Sequence, residues 1–322
     1  MSPLISVLMT VFNGGHHLVA SLDSILSQTF RDFEFLIVDD ASTDGSVHVL
    51  ENFAARDSRV RLILNSENKG QTACLNQGLR EAKGKWIARQ DADDISLPGR
   101  LSSLWEVVEA TPDLVLVGSN GWIIDEHGKA KGLIHVPLLD AGIRWSMPFR
   151  NPFIHTAVLF RPGSMLYDEH FKICQDWEFW SRLAERGRLA NLSSRLVAYR
   201  YCEKSLSHAS SERTSSESRE IVNRIWKHRY GSDPEKPALL EEFRNALKPQ
   251  TRGSFWVFYE SLRLRSSLGD TSQAAAVHHM QVAGAVASVT RTACCFEIIS
   301  AFRESPKWTL CTLCERFFNR GF

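Results

Sequence analysis

"KWIARQDADDISLPGRL" (Lys85–Leu101) joins a strand, an acidic cluster and a helix start in one short run. Its opening, KWIAR (Lys85–Arg89), is brief and apolar-leaning and reads as a buried strand. Asp91, Asp93 and Asp94 follow directly. Like charges this close repel unless water or an opposite charge offsets them. Pro98 then opens a helix that carries Leu101, Leu104, Trp105 and Val108 on one face. Taken alone, an Asp-rich turn is more often solvated or a helix cap than a site.

The same unit recurs on the N-terminal side. ISVLMTVF (Ile5–Phe12) is a β-branched apolar strand, and Leu18, Leu22, Ile25 and Leu26 follow at helical spacing. FEFLIVDD (Phe33–Asp40) ends in acid; Val47, Leu50 and Ala54 mark its helix, with Thr43 or Asp44 as cap. VRLIL (Val60–Leu64) precedes a helix marked by Leu75, Leu79 and Ala82 and stopped by Gly84. LVLVG (Leu114–Gly118) is a fifth strand. Such alternation implies an α/β fold with a mainly parallel central sheet flanked by helices. Ligands of these sheets bind beyond the carboxyl ends of the strands. Thr10–Asn13, Asp39–Asp40, Asn65–Gly70 and Asp91–Asp94 all fall at that end. Their convergence favours a site over a solvated turn.

Past Gly118 the pattern changes. GWIIDEHGKAKG predicts a hairpin turning at Glu126–Gly128, NPFIHTAVLF (Asn151–Phe160) contains another strand, QDWEFWSRLAERG (Gln175–Gly187) predicts a helix, and RLVAYRY a final strand. SLSHASSERTSSES (Ser205–Ser218) reads as a linker or mobile loop. The expected organisation is a catalytic domain over residues 1–204, a serine-rich linker over 205–220 and a helical C-terminal extension over 221–322. In that extension Leu310, Leu313, Phe317 and Phe318 share a helical face beside Lys307, Arg316 and Arg320. Packing is the first reading of that face, and peripheral contact with a membrane surface the second.

With 38 basic and 37 acidic residues in 322, no global charge draws the chain to nucleic acid. MSPLISVLMT lacks the basic n-region of a secretory signal. Seven scattered cysteines suit a reducing cytosol. Cys311 and Cys314 lack a second pair at zinc spacing and read as helix-face residues. Ala274–Phe302 is interrupted by His278, His279, Gln281, Arg291 and Glu297, which argues against a transmembrane span. Neither G-x-G-x-x-G after the first strand nor G-x-x-x-x-G-K-[ST] anywhere is present. Dinucleotide and P-loop cradles are therefore disfavoured. Asp91-Ala92-Asp93 offers hard oxygens suited to Mg²⁺ or Mn²⁺. A cation there would turn repulsion of a diphosphate into attraction.

Beyond these features, the chain resembles the family 2 glycosyltransferases, an inverting group with the GT-A nucleotide-diphospho-sugar transferase fold. The stretches that carry the resemblance are ISVLMTVFNG, LDSILSQTFRDFEFLIVDDASTDGS, NSENKGQTACLNQGLREAKGKWIARQDADDISLPGRL, NPFIHTAVLFR and QDWEFWSRLAERGRLANLSSRLVAYR, running from Ile5 to about Arg200. The resemblance implies transfer of one sugar from a nucleotide-diphospho-sugar, UDP- or otherwise activated, to an acceptor hydroxyl of a glycan or lipid-linked glycan. It implies a base pocket lined by Thr10 and Phe12, where Phe keeps the stacking of the more common Tyr but not its hydroxyl. Asp40 would accept from the base. Asp91 would face the ribose or share the metal, and Asp93 would ligate the Mn²⁺ or Mg²⁺ on the diphosphate.

Asp176 in QDW aligns with the family's catalytic carboxylate. Its bland reading is a helix N-cap; its implied role is the base that takes the acceptor's proton. Gln175 stands where many relatives carry Glu, which leaves one carboxylate for the role. His155 matches a position near the reaction centre, although a lone His beside an apolar residue is more often part of a core. Arg89, Asn68 and Lys69 read as surface and turn residues. Arg144-Trp145 does not extend the resemblance to the processive synthases, whose Q-x-x-R-W would need Gln at Ala141. The expected setting is cell-surface polysaccharide or glycolipid assembly in the cytoplasm, at the inner face of the plasma membrane. The rival classes are a sugar nucleotidyltransferase, for which TVFNGGHHL lacks a basic loop, and a GT-A binding module without catalysis.

Overall fold

The structure, a computed structural model, describes residues 2–201 and 211–230. The strands β1 (Ile5–Val11), β2 (Phe33–Asp39), β3 (Val60–Leu64) and β4 (Trp86–Asp91) pair in parallel in the order β3-β2-β1-β4. Every residue of β1 and β2 is buried, as strands covered on both faces require. The connecting helices are α1 (Leu18–Leu26), α2 (Ser46–Arg56), α3 (Gln71–Glu81) and α4 (Arg100–Ala110). They bury Leu18, Leu22 and Ile25, Leu50, Leu75, and Leu101, Leu104 and Val108 respectively. α3 lies so close to β1 that a Cβ at Gly78 would clash with Leu8 Cδ1.

β5 (Ile95–Ser96), β6 (Leu114–Ile124), β7 (Ala130–Ile134), β8 (Leu159–Phe160) and β9 (Arg188–Arg200) complete a nine-stranded sheet. β8 runs antiparallel to both β4 and β6, and β9 runs parallel to β6. The β6–β7 hairpin turns where the sequence indicates, with Asp125 Oδ1 accepting from the amides of His127 and Lys129. The strand expected within Asn151–Phe160 is the short Leu159–Phe160. A 3₁₀ turn at His155–Ala157 precedes it, closed by Ala157 N–H donating to Ile154 O at 2.9 Å. Its apolar residues are buried all the same, since Phe153, Ile154, Ala157 and Val158 are core.

Three further helices are α5 (Asp140–Ser146), α6 (Gln175–Leu183) and α7 (Ser211–Tyr230). Residues 211–218 are thus helical where the sequence suggests a linker. Glu217, Ser218, Ile221 and Val222 are buried at helical spacing, and docking of that stripe outweighs the weak local signal of serine. Residues 2–143, 150–201 and 211–225 belong to one compact unit, which carries the site described below. Arg144-Trp145 belongs to the other. The amphipathic stripe at Leu310–Phe318 and the Cys311/Cys314 pair lie outside the described residues. No helix among the described residues is long and apolar enough to cross a membrane.

Candidate active site

The parallel pairing of β1 with β4 sets Thr10 opposite Asp91. Arg89, two residues back on β4, is fully buried rather than a surface residue. Its Nη2 donates to Asp91 Oδ1 at 2.7 Å and to Thr10 Oγ1 at 3.2 Å; its Nη1 donates to Leu8 O at 3.0 Å and to Gln90 O. A buried guanidinium is tolerable only with its donors engaged, and here that engagement orients the first aspartate of the cluster. Beneath it Arg100, also fully buried, donates to Gln90 Oε1 at 2.8 Å and Arg89 O at 2.6 Å.

The three aspartates are therefore not crowded without relief. Arg89, Arg100 and Arg200 supply as many positive charges from within the fold. Each carboxylate has a different fate. Asp94 is buried, and its Oδ1 accepts from the backbone N–H of Arg200 at 2.7 Å. It ties the β5 turn to β9 instead of capping the helix near Pro98. Burial and its acidic neighbours push its pKa well above the ordinary value. Asp93 is half-buried, and burial followed by the Asp91 charge raises it to about 6. The other oxygen of Asp91, Oδ2, lies 3.8 Å from His155 Nδ1.

His155 links the cluster to Asp176. The 3₁₀ turn that precedes β8 sets it near Asp91, and burial followed by Arg89 lowers its pKa while Asp91 and Asp176 pull the other way. It is thus neutral at pH 7, with Nε2 buried and lacking a partner among the described residues. Asp176 lies in the first turn of α6, whose N-cap is Cys174, so the N-cap reading does not apply. Its Oδ1 accepts from Trp177 N–H at 2.8 Å and its Oδ2 from Asn151 Nδ2 at 2.6 Å. Part of its surface is open, yet protein surrounds it closely enough that desolvation raises its pKa despite both hydrogen bonds.

Phe12 and Asp40 flank the other side. Phe12 is 53% exposed directly after β1, a free aromatic face. Asp40 donates its N–H to Val11 O at 2.8 Å, which sets it beside Phe12. Both its oxygens are engaged: Oδ1 accepts from Lys69 N–H and Oδ2 from Gly70 N–H, each at 2.8 Å, with Asn65 Nδ2 at 3.3 Å. Those bonds outweigh burial and hold its pKa below the ordinary value. Gly70, at φ 88° and ψ 153°, has a conformation that only glycine adopts readily. Ala41, the next residue after Asp40, sits at φ 63°, a left-handed strain of roughly 1–2 kcal/mol for a residue with a Cβ.

The fold therefore brings Thr10, Asp91, Asp93, His155 and Asp176 to one crest and sets Phe12 and Asp40 at its edge. Sequence reasoning missed the burial of Arg89 and Arg100, the Asn151 contact to Asp176, and Tyr167. The Tyr167 ring stacks on Phe179 at 4.3 Å, and its hydroxyl is buried with no partner among the described residues. NPF in NPFIH is the one local hint of Asn151, because Asn before Pro commonly starts a turn. No group of three or more His, Cys, Asp or Glu fit to hold a metal occurs among the described residues. Two carboxylates remain, Asp91 and Asp93. That number suits Mg²⁺ or Mn²⁺, which take one or two carboxylates and fill the remaining positions with substrate phosphates and water.

The profile described as glycosyl transferase family 2 matches residues 6–171, just over half of the chain. The chain belongs to that family. An O-antigen biosynthesis glycosyltransferase of Escherichia coli, WbnJ, is 31% identical over 211 residues, 63% of this chain and 81% of WbnJ. An uncharacterized glycosyltransferase of Haemophilus influenzae is 31% identical over 211 residues, covering 62% of this chain and 65% of that protein's length, a little under two thirds. Among solved structures, the mannosyltransferase PcManGT of Pyrobaculum calidifontis, in complex with GDP-Man and Mn²⁺, superposes with a TM-score of 0.57 at 15% identity, over 100% of this chain and 89% of that one. That likeness is one of fold, and the fold is the GT-A α/β fold expected from the sequence.

Proposed function

We propose that this family 2 chain transfers a single sugar from a nucleotide-diphospho-sugar, a UDP-sugar in the first instance, to an acceptor hydroxyl, with inversion at the anomeric carbon. The observation that carries the reading is Asp176, a carboxylate of raised pKa reached from the Asp91–Asp93 cluster across His155. The acceptor oxygen bonds to the anomeric carbon as the bond from that carbon to the diphosphate breaks. The electron pair leaves with the nucleoside diphosphate, and the acceptor's proton passes to Asp176. Inversion follows because base and leaving group act from opposite faces of the sugar.

Phe12 offers its face to the base, and Thr10 lines the same pocket. Asp40 acts there through the 65–70 loop that it holds. Asp91, oriented by Arg89, faces the ribose or shares the cation with Asp93. A divalent cation, Mn²⁺ or Mg²⁺, held by these two carboxylates would neutralise the diphosphate and stabilise the charge on the leaving group. The O-antigen role of WbnJ supports an acceptor in surface-glycan assembly. We assign the reaction to the cytoplasmic face of the plasma membrane, where lipid-linked acceptors meet nucleotide sugars.

A thermal-shift screen of UDP-, GDP- and TDP-sugars with Mn²⁺ tests the reading. A true donor at a hundredfold over its Kd contributes about 2.7 kcal/mol, a rise of roughly 4 °C for a chain of this size. Product analysis must then find nucleoside diphosphate and a glycoside. Pyrophosphate made from a nucleoside triphosphate and a sugar phosphate would instead make it a nucleotidyltransferase, and donor binding without turnover on any acceptor would make it a binding module.

A further inference from the structure

The Asp176 helix is held from a distance. The three successive amides that lead into α6 all point at one carboxylate, that of Glu217 on α7. Lys172 N–H donates to Oε1 at 3.0 Å, and Ile173 and Cys174 N–H donate to Oε2 at 2.9 Å each. Consecutive amides aimed at one anion form a nest, ordinarily a place for a ligand's negative charge. Here the chain fills it from a residue more than forty positions on, beyond the stretch that the family profile matches. Glu217 is buried, and Arg213 Nε, one turn back on α7, donates to its Oε1 at 3.0 Å.

The neighbouring chain is clamped on both sides. From α3, Thr72 Oγ1 donates to Phe171 O at 2.9 Å, and Asn76 exchanges hydrogen bonds with the backbone of Tyr167. From α7, Arg224 Nη1 donates to Asp168 Oδ2 at 2.9 Å while its guanidinium lies 4.8 Å from the centre of the buried Phe171 ring. Cys174, the last residue of the nest, is the N-cap of α6, and Asp176 follows two residues later. Any change in how residues 172–174 run is carried directly into the direction of the Asp176 side chain. A base displaced by about 1 Å loses on the order of a hundredfold in rate.

We propose that Glu217 is a positioning residue for sugar transfer: its carboxylate gathers the amides of Lys172, Ile173 and Cys174 and so aims Asp176 at the acceptor. This rests on the reading of Asp176 as the base.

The test uses the full chain with Glu217→Ala, Glu217→Gln and Asp176→Asn. Three quantities are measured: release of nucleoside diphosphate from UDP-GlcNAc, UDP-Glc or GDP-Man with water as acceptor, affinity for UDP with Mn²⁺, and amide exchange over residues 168–180. The expected result for Glu217→Ala is a ten- to hundredfold fall in turnover and faster exchange at 172–174, with UDP affinity within about threefold of the parent. Glu217→Gln, which keeps one acceptor oxygen, should recover part of both. Glu217→Ala with unchanged turnover overturns the proposal, as does turnover that falls only in proportion to UDP affinity. Unchanged turnover in Asp176→Asn overturns the base assignment instead; a Glu217→Ala defect alongside it would sever the link to Asp176. Should no donor be hydrolysed, unaltered exchange at 172–174 in Glu217→Ala refutes the structural half outright.

Discussion

Replacing Asp176 by Asn removes a negative charge while leaving the side chain almost the same shape. In the parent, Oδ1 accepts from Trp177 N–H at 2.8 Å and Oδ2 from Asn151 Nδ2 at 2.6 Å. An amide has one acceptor oxygen, so one of these two bonds is lost, at about 1 kcal/mol. Against that, the neutral amide escapes the desolvation that raises the carboxyl's pKa. The net change in stability is within about 1 kcal/mol, or about 1.5 °C in Tm. Removal of a general base lowers the chemical step by roughly 10²- to 10⁴-fold, about 3–5 kcal/mol of barrier. The two magnitudes differ enough to separate a folding defect from a chemical one. Donor affinity should hold, because Thr10, Phe12, Asp91 and Asp93 are untouched. The assay pairs turnover of the donor found by thermal shift with calorimetric titration of that donor in Mn²⁺. Turnover within about threefold of the parent, in a variant that melts normally, would refute the reasoning and return Asp176 to a structural role.

Asp93→Ala should abolish the dependence of donor binding on Mn²⁺, because the half-buried carboxylate raised to about 6 is the group that a cation would relieve; titration with and without EDTA checks it, and an undiminished metal requirement places the cation elsewhere. Phe12→Ala should weaken nucleotide binding by about 1–3 kcal/mol if the ring stacks on the base, while its 53% exposure keeps the change in stability near 0.5 kcal/mol or less; unaltered UDP and GDP affinity would remove Phe12 from the pocket. Asp94→Asn concerns pH. The folded chain holds a proton on Asp94 above the pH at which the unfolded chain, near 3.9, releases it, so stability falls as pH rises through that interval. Asn cannot ionise and keeps an oxygen for Arg200 N–H. The variant should equal or exceed the parent in urea unfolding at pH 7–8, with the gap closing toward pH 4; a variant less stable by more than about 1 kcal/mol at pH 8 would contradict the sign.

Apart from the two-residue β5, the strands and helices up to Gly118 were legible because each follows from local periodicity. A β-branched run such as ISVLMTVF has little alternative to a buried strand, and Leu18, Leu22 and Ile25 have no common face except on a helix. The acids at the strand ends could be placed for the same reason. Local pattern placed a strand within Asn151–Phe160 but not its bounds, since a turn buries most of that apolar run, and it failed at Ser211–Ser218, where docking makes a helix of a serine-rich stretch. Neither outcome depends on the segment's own composition.

From sequence alone, then, come the alternation that makes an α/β sheet, the gathering of Asp40, Asp91 and Asp93 at one edge, and Asp176 at a helix start. What each carboxylate is available to do was decided by the partners that the fold buries beside it. Asp94 is taken up by Arg200, 106 positions on, and Asp40 by the amides of Lys69 and Gly70. Asp91 is turned by the buried Arg89, and Asp176 is raised by enclosure and led into place by Glu217. The physical reason is that the charge and reach of a carboxylate depend on desolvation and on donors within a few ångströms. Local sequence specifies the backbone that carries the group, and only the tertiary structure supplies those neighbours.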